Sequence, residues 1–274
     1  MIAGWYSRTL ALAGVALAML FQGPLPAAAD PAAEVDLERL TSVEVAALLA
    51  QGWTTIIIPT GGTEQNGPQL ILGKHNVIVQ HAAGEIARRL GKTLVAPVMA
   101  YVPEGDIDPP QGHMRYPGTI SLPESVFAQV LDAAARSFIS TGFNTILFIG
   151  DSGGNQLAQA DIAARLDAEF ASTGRHVFAI GDYYGANGQV DWLLEQGESA
   201  ADIGTHAGIR ETSELLAIDP TSVRRDLLVS GMDWAAKGAS GKPERASAAR
   251  GEKLLALKIE AALRQIHSLM GEVP

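Results

Sequence analysis

The feature that most constrains this chain is a pair of short apolar runs that each break into glycine. Thr54-Thr-Ile-Ile-Ile-Pro59 leads into Gly61-Gly62, and Asn144-Thr-Ile-Leu-Phe-Ile-Gly150 leads into Gly153-Gly154. Short, predominantly apolar runs rich in β-branched residues fit strands buried on both faces, which is the condition inside a parallel sheet. The stretches between them carry helical spacing. Thr41-Ser-Val-Glu44 reads as a capping box that opens a helix through Leu49, residues 75 to 90 are periodic and stop at Gly91, and Pro123 opens a helix to about Ser140. Further strands are expected over 94–98 and 177–181, a helix over 155–172, a mobile small-residue loop over 236–249, and a closing amphipathic helix from Glu252 to Met270. Strands alternating with helices specify an α/β fold with a mostly parallel central sheet covered on both faces. Ligands in such sheets gather at the carboxyl ends of the strands, so the loops that begin at Thr60, Ala100, Asp151 and Asp182 should converge.

The first residues stand apart from this pattern. Arg8 precedes an apolar run from Leu10 to Phe21, followed by Pro24 and by Ala27-Ala28-Ala29. The run is about a dozen residues, short of the roughly 20 that span a bilayer, so residues 1–29 read as a signal peptide cleaved after Ala29. The mature chain, residues 30–274, is then expected as one domain, exported to the periplasm or secreted, with no membrane association once the signal is removed. The chain has no cysteine, which excludes disulfides, thiolate metal ligands and a cysteine nucleophile. Its formal charge of −10 disfavours nucleic-acid partners, whose backbones need clustered Lys and Arg.

Four polar segments carry the candidate chemistry. The first, Gly61 to His75, holds Glu64, Asn66, Gln69 and His75; the second, Pro103 to Ser121, holds His113 in a loop too long for a simple connection. Gly150-Asp-Ser-Gly-Gly-Asn155 lies between a strand and a helix, where the amides of Gly153 and Gly154 could bind a developing oxyanion. It also fits the G-x-S-x-G nucleophile elbow, with Ser152 as nucleophile, His206 as base and Asp182 or Asp202 to orient it. The fourth segment, His206-Ala-Gly-Ile-Arg-Glu-Thr-Ser213, sets His206 and Glu211 five apart, so they need a turn to share one face.

In this order the four segments resemble the creatininase (creatinine amidohydrolase) family, whose motifs are E-Q-H-G-P-H-L-P-L-x-T-D, H-x-x-F-P-G-T-I-S, N-G-H-G-G-N and H-A-G-x-x-E-T-S. The resemblance implies a three-layer αβα fold, a hexamer or other homo-oligomer, and a pair of zinc or manganese ions that activate water against a linear or cyclic amide. Glu64 and Glu211 stand where the family has metal-binding carboxylates, and His206 where it has a proton-handling histidine. Asn66 and Gln69 replace histidines, His75 an aspartate, and Ser152 a histidine. The expectation is therefore a metal-dependent hydrolase of a small-molecule amide, with one divalent ion held by Glu64, His75 and Glu211. His206, Asp151 and Ser152 are the expected catalytic groups, and Asn66, His113, Gly153 and Gly154 the expected substrate contacts. The alternatives are the serine hydrolase, which needs no metal, and a non-catalytic exported binding protein that uses the same cleft for a small polar ligand.

Overall fold

The computed structural model describes residues 34–271, so the expected signal peptide lies outside the described residues. Strands β1 (Thr55–Thr60), β2 (Thr93–Val95), β3 (Thr145–Gly150) and β4 (His176–Ala179) form a parallel sheet in the order β2-β1-β3-β4. Around it run α1 (Ser42–Ala50), α2 (Lys74–Leu90), α3 (Glu124–Thr141), α4 (Gln156–Phe170), α5 (Gln189–Glu195), α6 (Ala200–Ile203), α7 (Ile209–Ile218) and α8 (Ala248–Leu269). The expected alternation of strands and helices is present, and the Thr41–Glu44 capping box closes with both of its hydrogen bonds.

The apolar runs are uninterrupted because both faces of the sheet are covered. Ile56, Ile58, Ile146 and Phe148 pack on one side against Phe127, Leu131 and Ala135 of α3 and Leu166 of α4. Their neighbours Ile57, Leu147 and Ile149 point the other way, into Val79, Ala83 and Ile86 of α2 and Ile259 and Ile266 of α8. Period-two alternation therefore exists, but it separates two apolar layers rather than core from solvent.

Two differences from the sequence expectation have clear causes. The 94–98 strand shortens to Thr93–Val95, because Pro97 has no amide to give the ladder. The 236–249 segment is strapped down: Gly238 accepts from the Gln65 side chain, Ser240 Oγ accepts from the His206 amide, and α8 begins at Ala248, capped by Ser247. Among the described residues no helix is long and apolar enough to cross a membrane.

The strand order places β1 beside β3 at the centre, with the chain leaving in opposite directions from there. That switch point leaves a crevice beyond the strand ends, which is where ligands bind in open α/β sheets. Thr60 ends β1 and Gly150 ends β3, so the Glu64 loop and Asp151 emerge side by side.

Candidate functional site

Glu64 follows β1 in a loop fixed from below by Asn66. The Asn66 amide donates to the carbonyls of Glu64 and Ile71, and the residue is wholly buried. Asn66, expected as a substrate contact, is therefore off the cavity wall and acts as the brace of the loop. Gln69 does a parallel task by donating to the Ala207 carbonyl, which ties this loop to the turn before α7.

That turn explains how His206 and Glu211 meet. Ala207 takes a left-handed conformation, φ 50°, an uncommon state for a residue with a Cβ, and α7 begins only at Ile209. His206 thus precedes the bend while Glu211 sits in the first helical turn, and both face the Glu64 loop.

Between them lies Lys74, which sequence reasoning did not single out. Its ammonium is wholly buried, 2.8 Å from Glu211 Oε1 and 3.1 Å from Glu64 Oε1. Burial alone would lower its pKa, but Glu211 and Glu64 reverse that and raise it. The ammonium in turn counters the upward push of burial on Glu211, holding that carboxyl at about 2.

His75, next in α2, donates from Nδ1 to Asp151 Oδ2 at 2.7 Å and from Nε2 to Glu64 Oε1 at 2.9 Å. Burial and Lys74 push its pKa down, yet the two carboxylates win and raise it to about 9. Both ring nitrogens are spent, so in this arrangement His75 bridges carboxylates and has no lone pair for a metal. Asp151 also accepts from Lys258 Nζ and from the Tyr183 hydroxyl, and Glu214 lies 3.4 Å from the same ammonium. Asp151 therefore sits beneath the site, sealed from the cavity that Ser152, Gly153 and Gly154 line.

The cavity has a volume of about 930 Å³. Glu64, Glu104, His113, His206 and Glu211 supply its chemistry, and no Lys or Arg reaches its wall. Glu104 was also absent from the sequence reading. It is buried, accepts from Ser152 Oγ through Oε2, and leaves Oε1 without a donor. Burial, and then the Glu64 charge, push its pKa up to about 8.

His113 Nε2 lies 3.1 Å from Glu64 Oε2, and its ring stacks obliquely on that of His206 at 4.4 Å between centroids. His206 donates from Nε2 to the Gln65 carbonyl, and its Nδ1 faces Lys74 Nζ at 3.4 Å and Glu64 Oε1 at 3.6 Å, so an ion bound at Nδ1 would take the place of the long Lys74 contact. Burial, with Lys74 adding to it, lowers the pKa of His206 to about 4, and burial lowers that of His113. Both are therefore neutral imidazoles at neutral pH, the form that binds metals. One ligand atom from each of Glu64, His113 and His206 lies within 4.8 Å of the others. Two imidazoles and a carboxylate with an open side is a zinc donor set of the catalytic kind, so these residues fit one divalent ion.

The elbow at Ser152 lacks what a serine nucleophile requires. Its backbone is ordinary extended chain, φ −96° and ψ 149°, without the strain of a nucleophile elbow. His206 is engaged with Gln65 and Lys74 rather than with Ser152, and Asp202 pairs with Lys242 at the surface. Glycine at 154 has a packing reason instead, since any Cβ there would meet the Pro103 carbonyl.

An α/β protein with a braced carboxylate, two neutral histidines and a wide polar cavity at the sheet switch point belongs to the metallohydrolase-like class of site. The family model for creatininase, creatinine amidohydrolase, matches residues 38–266, and the chain belongs to that family. It is 29% identical over 233 residues to the mycofactocin precursor peptide peptidase of Mycolicibacterium smegmatis, covering 77% of this chain and 83% of that protein. A peptidase of the same name from Mycobacterium tuberculosis is 27% identical over 223 residues, covering 77% and 84%. A creatinine amidohydrolase (creatininase) crystal structure superposes with TM-score 0.69 at 22% identity, covering 86% of this chain and 97% of that one. A creatininase described as a manganese form gives 0.68 at 23%, covering 86% and 98%. These structures share the three-layer αβα fold expected from the sequence.

Proposed function

We propose that this protein is a hydrolase of a C–N amide bond, working with one zinc or manganese ion held by Glu64, His113 and His206. The observation that carries the reading is the convergence of those three ligand atoms on the wall of a cavity large enough for a short peptide or lactam. The similarity to peptidases and to creatininases in manganese form supports the bond type and the metal class. A bound ion would polarise the scissile carbonyl and lower the pKa of a ligated water.

The chain's own groups complete the site. Lys74 fixes the Glu64 carboxylate from behind, while the wall at Gly153, in the turn before α4, is placed to meet a developing oxyanion. Glu104, held by Ser152, stands on the same wall and can hand a proton to the leaving nitrogen. The carboxylates Asp106, Asp108 and Glu124 around the mouth favour neutral or cationic amides over acidic ones. Export and a homo-oligomeric state belong to the same proposal, supported by the N-terminal sequence and the family resemblance respectively.

The test is turnover of a panel of peptides, peptide amides and lactams by protein stripped with chelator and reloaded with zinc or manganese. Hydrolysis that returns with metal and is absent in His113→Ala supports the reading. Full activity after stripping, or no turnover under any loading, would sink it.

A further inference from the structure

We propose that Lys74 is a resident cation of this site, its ammonium filling the place between Glu64 and Glu211 that a second divalent ion would need, so that the chain binds at most one metal ion. The family resemblance leads one to expect a pair of metals, with Glu64 and Glu211 among the carboxylates that hold them. Those two residues are present and close together. What lies between them is Lys74 Nζ, 3.1 Å from one and 2.8 Å from the other, with His206 Nδ1 at 3.4 Å.

The placement is costly, which argues that it matters. Lys74 is the first residue of α2, where the helix dipole disfavours a cation, and it is wholly buried. An ammonium taken out of water costs several kcal/mol unless anions surround it. Glu64 and Glu211 surround it here. A zinc ion would lie about 2.0–2.2 Å from each carboxylate oxygen, which is the volume the ammonium already occupies. Ion and ammonium exclude each other there.

The adjoining half of the network repeats the arrangement. Lys258 lies 2.7 Å from Asp151 and 3.4 Å from Glu214, and His75, donating from both nitrogens, joins Asp151 to Glu64. Lys74, Lys258 and His75 thus face the carboxylates of Glu64, Glu211, Asp151 and Glu214, close to charge balance before any metal enters. One ion on the open side of Glu64, towards His113, is compatible with that balance; a second, buried between the glutamates, is not.

The inference goes beyond the hydrolase reading and does not need it, because metal number is read without substrate. Wild-type protein is stripped, reloaded with excess zinc or manganese, desalted and measured by elemental analysis. One ion per chain or fewer is expected. Lys74→Ala should hold one ion more than wild type, and its melting temperature, lowered in chelator, should recover when zinc or manganese is added. The double variant Lys74→Met with Glu211→Gln, which removes both charges, should fold without metal and gain no ion. Two ions per wild-type chain would overturn the proposal, as would a folded Lys74→Ala that matches wild type in metal content and melting. Should Lys74→Ala fail to fold even with metal, an extra ion in the double variant overturns it and none supports it. A one-metal protein that hydrolyses nothing counts against the hydrolase reading alone.

Discussion

Two lysines stand at the heart of this molecule in matching company, yet their surroundings differ. Lys74 sits between Glu64 and Glu211, both of which reach the cavity wall, with His206 beside it. Lys258 sits between Asp151 and Glu214, with the Tyr183 ring 4.6 Å from its ammonium and Gln189 bonded to Glu214, all buried. His75 joins the halves. The same charge chemistry therefore holds a cavity-facing surface in one half and a buried foundation in the other. Substitutions in the first half should cost activity before stability, and in the second stability before activity.

The largest effect is expected at Glu64. Glu64→Gln keeps the shape but loses the carboxylate shared by the metal trio and Lys74, so kcat/KM should fall by about 10³-fold or more, with the fold intact by circular dichroism. A variant that kept a tenth of the activity would place the chemistry elsewhere in the cavity.

In the sealed half, Asp151→Asn strips Lys258 and His75 of their strongest partner. Breaking a buried ion pair from one side costs about 3–5 kcal/mol, to be read as a lower urea midpoint at unchanged slope. Adding Lys258→Met should recover part of that loss, because the uncompensated ammonium goes with it. If the double variant is as unstable as the sum of the singles, the pair is not coupled as described. The pH dependence follows with a definite sign. Burial would raise the Asp151 carboxyl, but Lys258 and His75 hold it well below its ordinary 3.8, so its contribution is present above that value and lost as pH falls below it. Wild type should therefore destabilise more steeply on the acid side than Asp151→Asn.

A smaller effect separates the serine reading from the metal one. Ser152→Ala removes a hydroxyl that positions Glu104 and caps Gly154 without attacking anything, and activity should fall less than about tenfold. A loss matching Glu64→Gln would restore Ser152 as nucleophile.

The contrast between the two halves also marks what was legible in the sequence. The sheet and its helices were readable because buried strands announce themselves by composition and glycine breaks, and the four segments that converge were recognisable from motif order. The ion network was not, since its members lie far apart in the chain and lysine ordinarily signals a surface. Weak signals existed: Lys74 and His75 place two cations at the positive end of a helix, against the dipole, and Lys258 falls on the stripe of Leu254, Leu255, Ile259 and Ala262, the buried face of α8. Glu104 carried no signal of that kind, because its burial depends on the Pro103 to Ser121 loop folding back over the strand ends.

The smallest expected effect lies at the rim of the open half, and it sharpens why that half is open. Asp106, Asp108 and Glu124 line the mouth and make no ion pair among the described residues. Exposed charges at this distance act through a screened field, not through contacts, so their influence belongs to capture. Asp106→Asn with Asp108→Asn should raise KM for a cationic amide a few-fold at low salt, leave KM for a neutral one unchanged, and leave kcat alone in both. Raising the ionic strength should erase the difference. An equal loss for both substrates would mean that the loop shapes the cavity by packing, whereas a kcat effect would bring these carboxylates into the chemistry proposed for Glu64 and Glu104.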